Sequence, residues 1–342
     1  MIGPYRPHGQ LHWLLEQLGT VPKWEVIGAL AAEERSRTVP CELGKLGKLE
    51  KCQLLRIRDL ATAFASGVLD AMQLREQELA TAIGGLFAVR DEELMSDLPE
   101  LEPLADDLEK RITENVILDI SCLPKRFFFY LLRRLTASSK VQQLLVTVTI
   151  PLKYGEELSR NAGHWEFLPS FGREKSGKTQ PMLIIAVGYQ HLNLLEVAEE
   201  VDHAAVRLLF PFPSKPPGWI RNWEFVRNIA EQQKFGLKTS DVIRVHPQAT
   251  SLAFDILVGQ CAEQVDEVWL APFGPKSISL AMVLFALARE TTGRAVSIGY
   301  TQPPAYSATY TTGVELGPDG KPVIHAYCVK LKGRSFYSIS GP

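Results

Sequence analysis

The sequence predicts an α/β protein built as two pseudo-symmetric units, each a mainly parallel sheet flanked by helices. Three observations predict this. Short apolar runs alternate with segments long enough to be crossover helices. A strand, a Pro-Lys turn, a helix and a second strand follow one another in that order twice. The spacing of the two series agrees to one residue, with 29 positions from Lys125 to Tyr154 and 30 from Lys276 to Tyr306. Repetition over such a length points to a duplicated unit.

Along the first unit, Leu14-Leu15-Glu16 marks a helix ahead of the apolar run Trp24 to Gly28, and Leu54 to Asp59 reads as a strand carrying Arg56 and Arg58. Leu194-Leu195-Glu196 stands in the same way ahead of Val206 to Phe210, and Val242 to His246 carries Arg244. A glycine, a tyrosine and a histidine precede both helices: Gly3, Tyr5 and His8, then Gly188, Tyr189 and His191. Aligning these features gives offsets of 180 at Leu14, 188 at Arg56 and 151 at Lys125, so the first unit is expected to hold about 37 additional residues. The place for them is an acidic insertion near 77–110, where Asp91, Glu92, Glu93, Asp97, Glu100, Glu102, Asp106, Asp107 and Glu109 fall among leucines. Such a run is either a solvated helical face or a surface for a protein partner.

Next, Ile117 to Ser121 reads as a buried strand turning through Leu123-Pro124-Lys125 into a helix that begins Arg126-Phe127-Phe128-Phe129, followed by the strand Leu145 to Ile150. Val268 to Phe273 turns through Gly274-Pro275-Lys276 into the apolar helix Ile278 to Ala288 and the strand Val296 to Tyr300. The expected boundaries are a Rossmann-like unit at 1–160, a linker at 161–180 and a second Rossmann-like unit at 181–342. The linker contains Gly172-Arg173-Glu174-Lys175-Ser176-Gly177-Lys178-Thr179, which matches the P-loop pattern. A P-loop needs a strand before it and a helix after it; here Gln180-Pro181 and an apolar strand follow, so a polar linker is expected.

A formal net charge of −2 over 342 residues excludes a protein held to nucleic acid by bulk charge, although a local basic surface does not conflict with it. Cys41, Cys52, Cys122, Cys261 and Cys328 show no CxxC or Cys/His ligand spacing, and read as reduced thiols. The longest apolar stretch is too short to span a bilayer, so a cytoplasmic location with no membrane partner is expected. No motif demands a cofactor or a metal.

The two Pro-Lys corners carry most of the functional expectation. Ligands of open α/β sheets sit off the carboxyl ends of strands, where the next helix presents unpaired amides. Gly274, Lys276, Ser277 and Ser279 supply a close backbone approach, a cation and two hydroxyls for a nucleotide-like anion. Gln302, Tyr306 and Tyr310 on the following loop supply polar and aromatic contacts for a base. Ser121 and Lys125 stand at the matching corner of the first unit, where a helix simply starting with a solvated lysine explains the same letters. Arg35-Ser36-Arg37, after Glu33-Glu34, is either a phosphate clamp or a set of ordinary ion pairs. Asp119 and Ser121 beside Lys125, with His8, His164, His191, His246 or His325 as base, keep a hydrolytic or phosphoryl-transfer enzyme open. A scaffold subunit with vestigial pockets is the third reading.

Gly274-Pro275-Lys276-Ser277-Ile278-Ser279-Leu280-Ala281, together with the tandem arrangement, resembles the CARF and SAVED sensor domains of prokaryotic defence systems. That resemblance implies paired Rossmann-like units binding a cyclic oligonucleotide, and a non-catalytic sensing or regulatory subunit that passes its state to a protein effector. The chain departs from the pattern at Pro272-Phe273, where a glycine pair is expected, and at Leu123-Pro124-Lys125-Arg126.

Overall fold

The computed structural model describes residues 5–339 except 20, 22, 60–66, 161–162, 173–180, 190–193, 201–203, 215–217, 232–234, 262–264 and 295. Residues 173–179 of the P-loop match and His191 therefore lie outside the described residues. The chain begins with β1 (His8–Gln10), α1 (Leu11–Gln17), β2 (Trp24–Leu30), α2 (Arg35–Lys45), β3 (Leu49–Arg58), α3 (Val68–Ile83), β4 (Phe87–Glu93), α4 (Leu98–Arg111), β5 (Asn115–Asp119), α5 (Lys125–Ala137), β6 (Gln143–Thr149), β7 (Pro151–Tyr154) and β8 (Ser159–Arg160). There follow β9 (Trp165–Phe167), β10 (Met182–Ala186), α6 (Leu194–Glu200), β11 (Ala205–Pro211), α7 (Gly218–Glu231), β12 (Val242–Val245), α8 (Thr250–Gln260), β13 (Val268–Pro272), α9 (Lys276–Glu290) and β14 (Val296–Thr301). The last strands are β15 (Ala305–Tyr306), β16 (Thr311–Val314), β17 (Ile324–Leu331) and β18 (Arg334–Ser335).

Two compact units result. The first comprises Tyr5–Asn161 and Pro303–Phe336; the second comprises Ala162–Gln302 with Met1–Pro4 and Tyr337–Pro342. Residues 303–336, placed with the second unit by the sequence reading, thus belong to the first. The cause is a non-local pairing: β17 lies antiparallel against β6, matching Ile324 with Thr149 and Cys328 with Leu145.

In the first unit the strands run β1-β17-β6-β5-β2-β3-β4, and the five from β6 to β4 are parallel. In the second they run β12-β11-β10-β13-β14-β9, with β9 antiparallel at the edge of five parallel strands. Counted in chain order, both parallel sets read 3-2-1-4-5, the doubly wound order. The starting strand of each, β2 or β10, is buried along its whole length, as a parallel strand covered on both faces must be. In the first unit α2 packs on α3 and α4 on α5. Because strand order reverses at β2, right-handed crossovers put these two helix pairs on opposite faces.

The shared order corrects the correspondence drawn from sequence. Trp24 to Leu30 matches β10, not Val206 to Phe210, and Leu54 to Asp59 in β3 matches β11, not Val242 to His246. Offsets between the starts of matching strands run only from 158 (Trp24 to Met182) to 153 (Gln143 to Val296), so no block of 37 residues is inserted. The acidic stretch is a regular part of the unit: β4 is its edge strand, and α4 packs on α5.

The acidic charges are largely neutralised within the unit. Arg134 donates to Asp106 (2.5 Å) and Glu109 (3.0 Å), and Arg111 pairs with Asp107 at 2.9 Å. Buried Arg126 donates to Asp97 (2.7 Å) and to the Ser96 carbonyl (3.1 Å). Asp97 and Glu100 form a reciprocal capping box at the start of α4.

Candidate functional site

In each unit the crevice where strand order reverses lies between strands one and four, at their carboxyl ends, and that is where open α/β sheets hold ligands. The two crevices are filled differently.

In the second unit, β10 leads into Val187-Gly188 and β13 into Phe273-Gly274. The glycines serve the approach of these two loops to one another. A Cβ on Gly188 would lie 2.1 Å from the Phe273 carbonyl oxygen, and one on Gly274 would lie 2.8 Å from that of Val187. Pro275 caps α9, and Lys276 is its half-buried first residue. Ser277 donates to the Pro247 carbonyl and receives the Thr250 hydroxyl on its own carbonyl at 2.9 Å, while fully buried Ser279 faces the Gly274 carbonyl at 3.5 Å. Both hydroxyls expected to meet phosphate are thus engaged with backbone. Gln302 is buried beyond β14 in the same unit, and its carbonyl accepts from Gly163 N at 3.1 Å. Tyr306 and Tyr310 belong to the other unit.

The first unit's crevice holds a hydrogen-bonded polar set. Asp119 ends β5, and its Oδ1 accepts from Ser121 N (3.1 Å), Ser121 Oγ (2.5 Å) and Thr147 Oγ1 (3.2 Å). Burial pushes the Asp119 carboxyl up to about 6, against the pull of those hydrogen bonds. Ser121 Oγ in turn accepts from Thr149 N at 2.8 Å. Neither Asp119 nor Ser121 is more than 3% exposed. Lys125 starts α5 and is buried beside this loop.

Arg35, the first residue of α2 after the reversal strand β2, is 4% exposed. Its guanidinium donates to Glu33 Oε2 (2.5 and 3.2 Å), Thr311 Oγ1 (3.2 Å) and the Thr149 carbonyl (3.3 Å). Burial works against its charge, but Glu33, Cys122 and Tyr154 together outweigh burial and the pKa is raised, so Arg35 is a permanent cation. Thr311 reaches it because β16 pairs with β7, placing Thr311 opposite Tyr154. Arg37, its neighbour in sequence, forms an ion pair with Glu78 at 2.8 Å.

Thr149 completes the set. It is fully buried, and its hydroxyl has no hydrogen-bond partner. Strand alternation puts it on the same face of β6 as Thr147, one step nearer the carboxyl end. At the rim, Asp59 beyond β3 accepts from Tyr306 N at 2.6 Å; burial raises its carboxyl to about 6 despite that bond. The Tyr306 and Tyr310 rings meet edge to face with centroids 5.7 Å apart.

Of the residues singled out from sequence, the structure therefore gathers Ser121, Lys125, Tyr306 and Tyr310 in the first unit, and Gly274, Lys276, Ser277, Ser279 and Gln302 in the second. Thr149, Thr311 and Asp59 carry no motif; the available signal was the pair Thr147 and Thr149 on one face of an otherwise apolar strand. Among the described residues no histidine hydrogen-bonds Asp119 or Ser121, no group of His, Cys, Asp or Glu could hold a metal, and no helix is long and apolar enough to cross a membrane. Compared with known proteins, the chain matches no protein-family model, and no curated protein matches it.

Proposed function

We propose that the protein is a nucleotide-binding sensing or regulatory subunit whose ligand lies at the carboxyl end of the first unit's sheet. The observation that carries this reading is the buried, unpartnered hydroxyl of Thr149 beside the buried Arg35 guanidinium, at the point where strand order reverses. A buried hydroxyl without a partner costs about 1–3 kcal/mol, and a ligand oxygen reaching it would remove that cost. Arg35, which Glu33 holds in place, supplies a cation for a phosphate, with Thr311 alongside, and the N-termini of α2 and α5 add the positive ends of their dipoles. Tyr306 and Tyr310 offer aromatic faces for a base.

A sensing role fits better than catalysis because the Ser121 hydroxyl is committed to Asp119 and to the Thr149 amide. A nucleophile and its base need access to substrate. The resemblance to CARF and SAVED domains extends the proposal to a cyclic oligonucleotide as ligand, a defence-type system as setting, the cytoplasm as location and a protein effector as partner. Mass spectrometry of small molecules released on denaturing the purified protein tests it. A nucleotide at near-stoichiometric yield, lost in Arg35→Ala, is the expected result; release of no nucleotide, with no binding to added nucleoside phosphates, contradicts it.

A further inference from the structure

Six exposed aromatic rings stand among the described residues, and three of them, Phe212, Trp219 and Trp223, fall within twelve positions of the second unit. They surround the carboxyl end of β11. Trp219 and Trp223 are one helical turn apart on α7, so they share a face with about 5–6 Å between their Cβ atoms. Trp223 packs one side of its indole on buried Phe210, centroids 4.6 Å apart, and leaves about half of its surface to solvent.

Arg244 stands opposite Phe210 in the β11–β12 pairing and lies over the Phe212 ring, 5.2 Å from its centroid. It is exposed and pairs with no carboxylate among the described residues. Asp241, three residues before it, is engaged by Arg207 (2.7 Å). A second cation, Arg221 on α7, lies over the Tyr189 ring at 6.0 Å.

The rings are held in place from below. Phe212 N donates to the Val245 carbonyl at 2.8 Å. Asn222, fully buried in α7, donates to Ser214 Oγ (2.8 Å), which donates to the Pro211 carbonyl (2.6 Å). The same buried amide leaves its Oδ1 without a hydrogen-bond partner. This chain ties the segment carrying Phe212 to the helix carrying both tryptophans.

Exposed rings near one strand end, with an arginine that pairs with no carboxylate among the described residues, are what a single strand of nucleic acid uses: bases stack on the rings and phosphates meet the cations. We infer that this face of the second unit binds single-stranded nucleic acid through Phe212, Trp219 and Trp223, with Arg244 on the backbone. The inference stands on residues of the second unit alone and does not depend on the nucleotide site of the first. The chain's overall charge gives no general attraction to polyanions, so binding would rest on these local contacts.

Fluorescence anisotropy of a labelled oligo(dT) and oligo(U) of about twelve nucleotides, titrated with the full chain at low salt, tests it. Wild type is expected to bind at least one strand and to lose affinity as salt rises. Trp219→Leu and Trp223→Leu keep apolar surface but remove the ring, and each should weaken binding about five- to a hundred-fold; Trp223→Phe should retain most of it. Arg244→Ala should weaken binding and flatten the salt dependence. Circular dichroism of each variant shows whether it folds. No binding by wild type, or equal binding by the folded leucine variants, would overturn the inference. So would leucine variants whose only change is in oligomeric state, because the face would then be a protein interface.

Discussion

Arg35 and Thr149 meet at a 3.3 Å hydrogen bond from the guanidinium to the threonine carbonyl, while the hydroxyl of the same threonine is buried without a partner. The pair joins the first helix after the reversal strand to the last parallel strand, across the crevice where the doubly wound order turns. The cation is balanced by Glu33, 2.5 Å away, but the unsatisfied donor beside it is costly in a buried site. A ligand oxygen bonded to the hydroxyl would remove that cost.

Thr149→Val removes the hydroxyl and keeps the shape. In the ligand-free protein it is expected to leave stability unchanged or raise it by up to about 1 kcal/mol, since an unpartnered buried hydroxyl is being replaced by a methyl. Urea denaturation of both proteins measures this. A loss of more than about 1 kcal/mol would show that the hydroxyl is satisfied in the folded chain.

Asp119 gives a pH dependence whose sign follows from its raised pKa. The carboxyl moves from 3.8 to about 6 on folding, so its protonated form favours the folded state. That contribution is complete below about pH 4 and lost as pH rises through 6. Its size is on the order of 2–3 kcal/mol at 1.36 kcal/mol per pH unit. Asp119→Asn, which keeps the accepting oxygen, should gain on wild type between pH 4 and 6.5 and hold a constant advantage above. Denaturation at pH 4.5, 6 and 7.5 shows the trend, and a difference that does not change with pH would refute it.

Gly188→Ala should destabilise the second unit by several kcal/mol or prevent its folding, because the added carbon meets a backbone carbonyl that cannot move aside cheaply. Gly47→Ala makes a useful comparison, with a left-handed backbone but open space around it; it should cost only about 1 kcal/mol. Thermal unfolding distinguishes the two. Equal small effects would mean that the loops after β10 and β13 are not closed on one another.

Arg126→Ala should cost about 2–5 kcal/mol, since it empties the space of a fully buried side chain that holds the cap of α4 and leaves the Ser96 carbonyl without that donor. Reversing the exposed Asp106 should cost far less, within about 1 kcal/mol, as expected of a surface ion pair. Chemical denaturation of the two variants gives the ranking, and the reverse order would mean that Arg126 is not the anchor of the acidic helix.

The features legible in the sequence were the local ones. Both Pro-Lys corners start helices at the lysine itself, and the strands flanking those helices occupy matching places in the two sheets. Proline fixes its own backbone angle, and unbroken apolar runs mark strands buried on two faces, so both signals survive divergence. Upstream, the match was drawn through Leu-Leu-Glu and arginine-bearing strands. Such letters mark the buried face of any amphipathic helix and the charged positions of any strand rather than sheet position, and they shifted the alignment by one strand. Met182 to Ala186 carries the decisive signal, a fully buried run at a nearly constant offset from β2.

The site was less legible because its geometry depends on distant pairings. Tyr306, Tyr310 and Thr311 reach the first unit through the antiparallel partners of β6 and β7, which no local pattern specifies. Arg35 was visible as a candidate phosphate clamp, but its burial follows from contacts with residues more than a hundred positions away.

The central claim is tested most directly by isothermal titration of wild type and Thr149→Val with the nucleotide released from the purified protein. A hydroxyl that bonds a charged phosphate oxygen contributes about 1.5–3 kcal/mol, so the variant should bind about ten- to a hundred-fold more weakly while its ligand-free stability is kept. Equal affinity for the two folded proteins would contradict a ligand at the Arg35–Thr149 crevice.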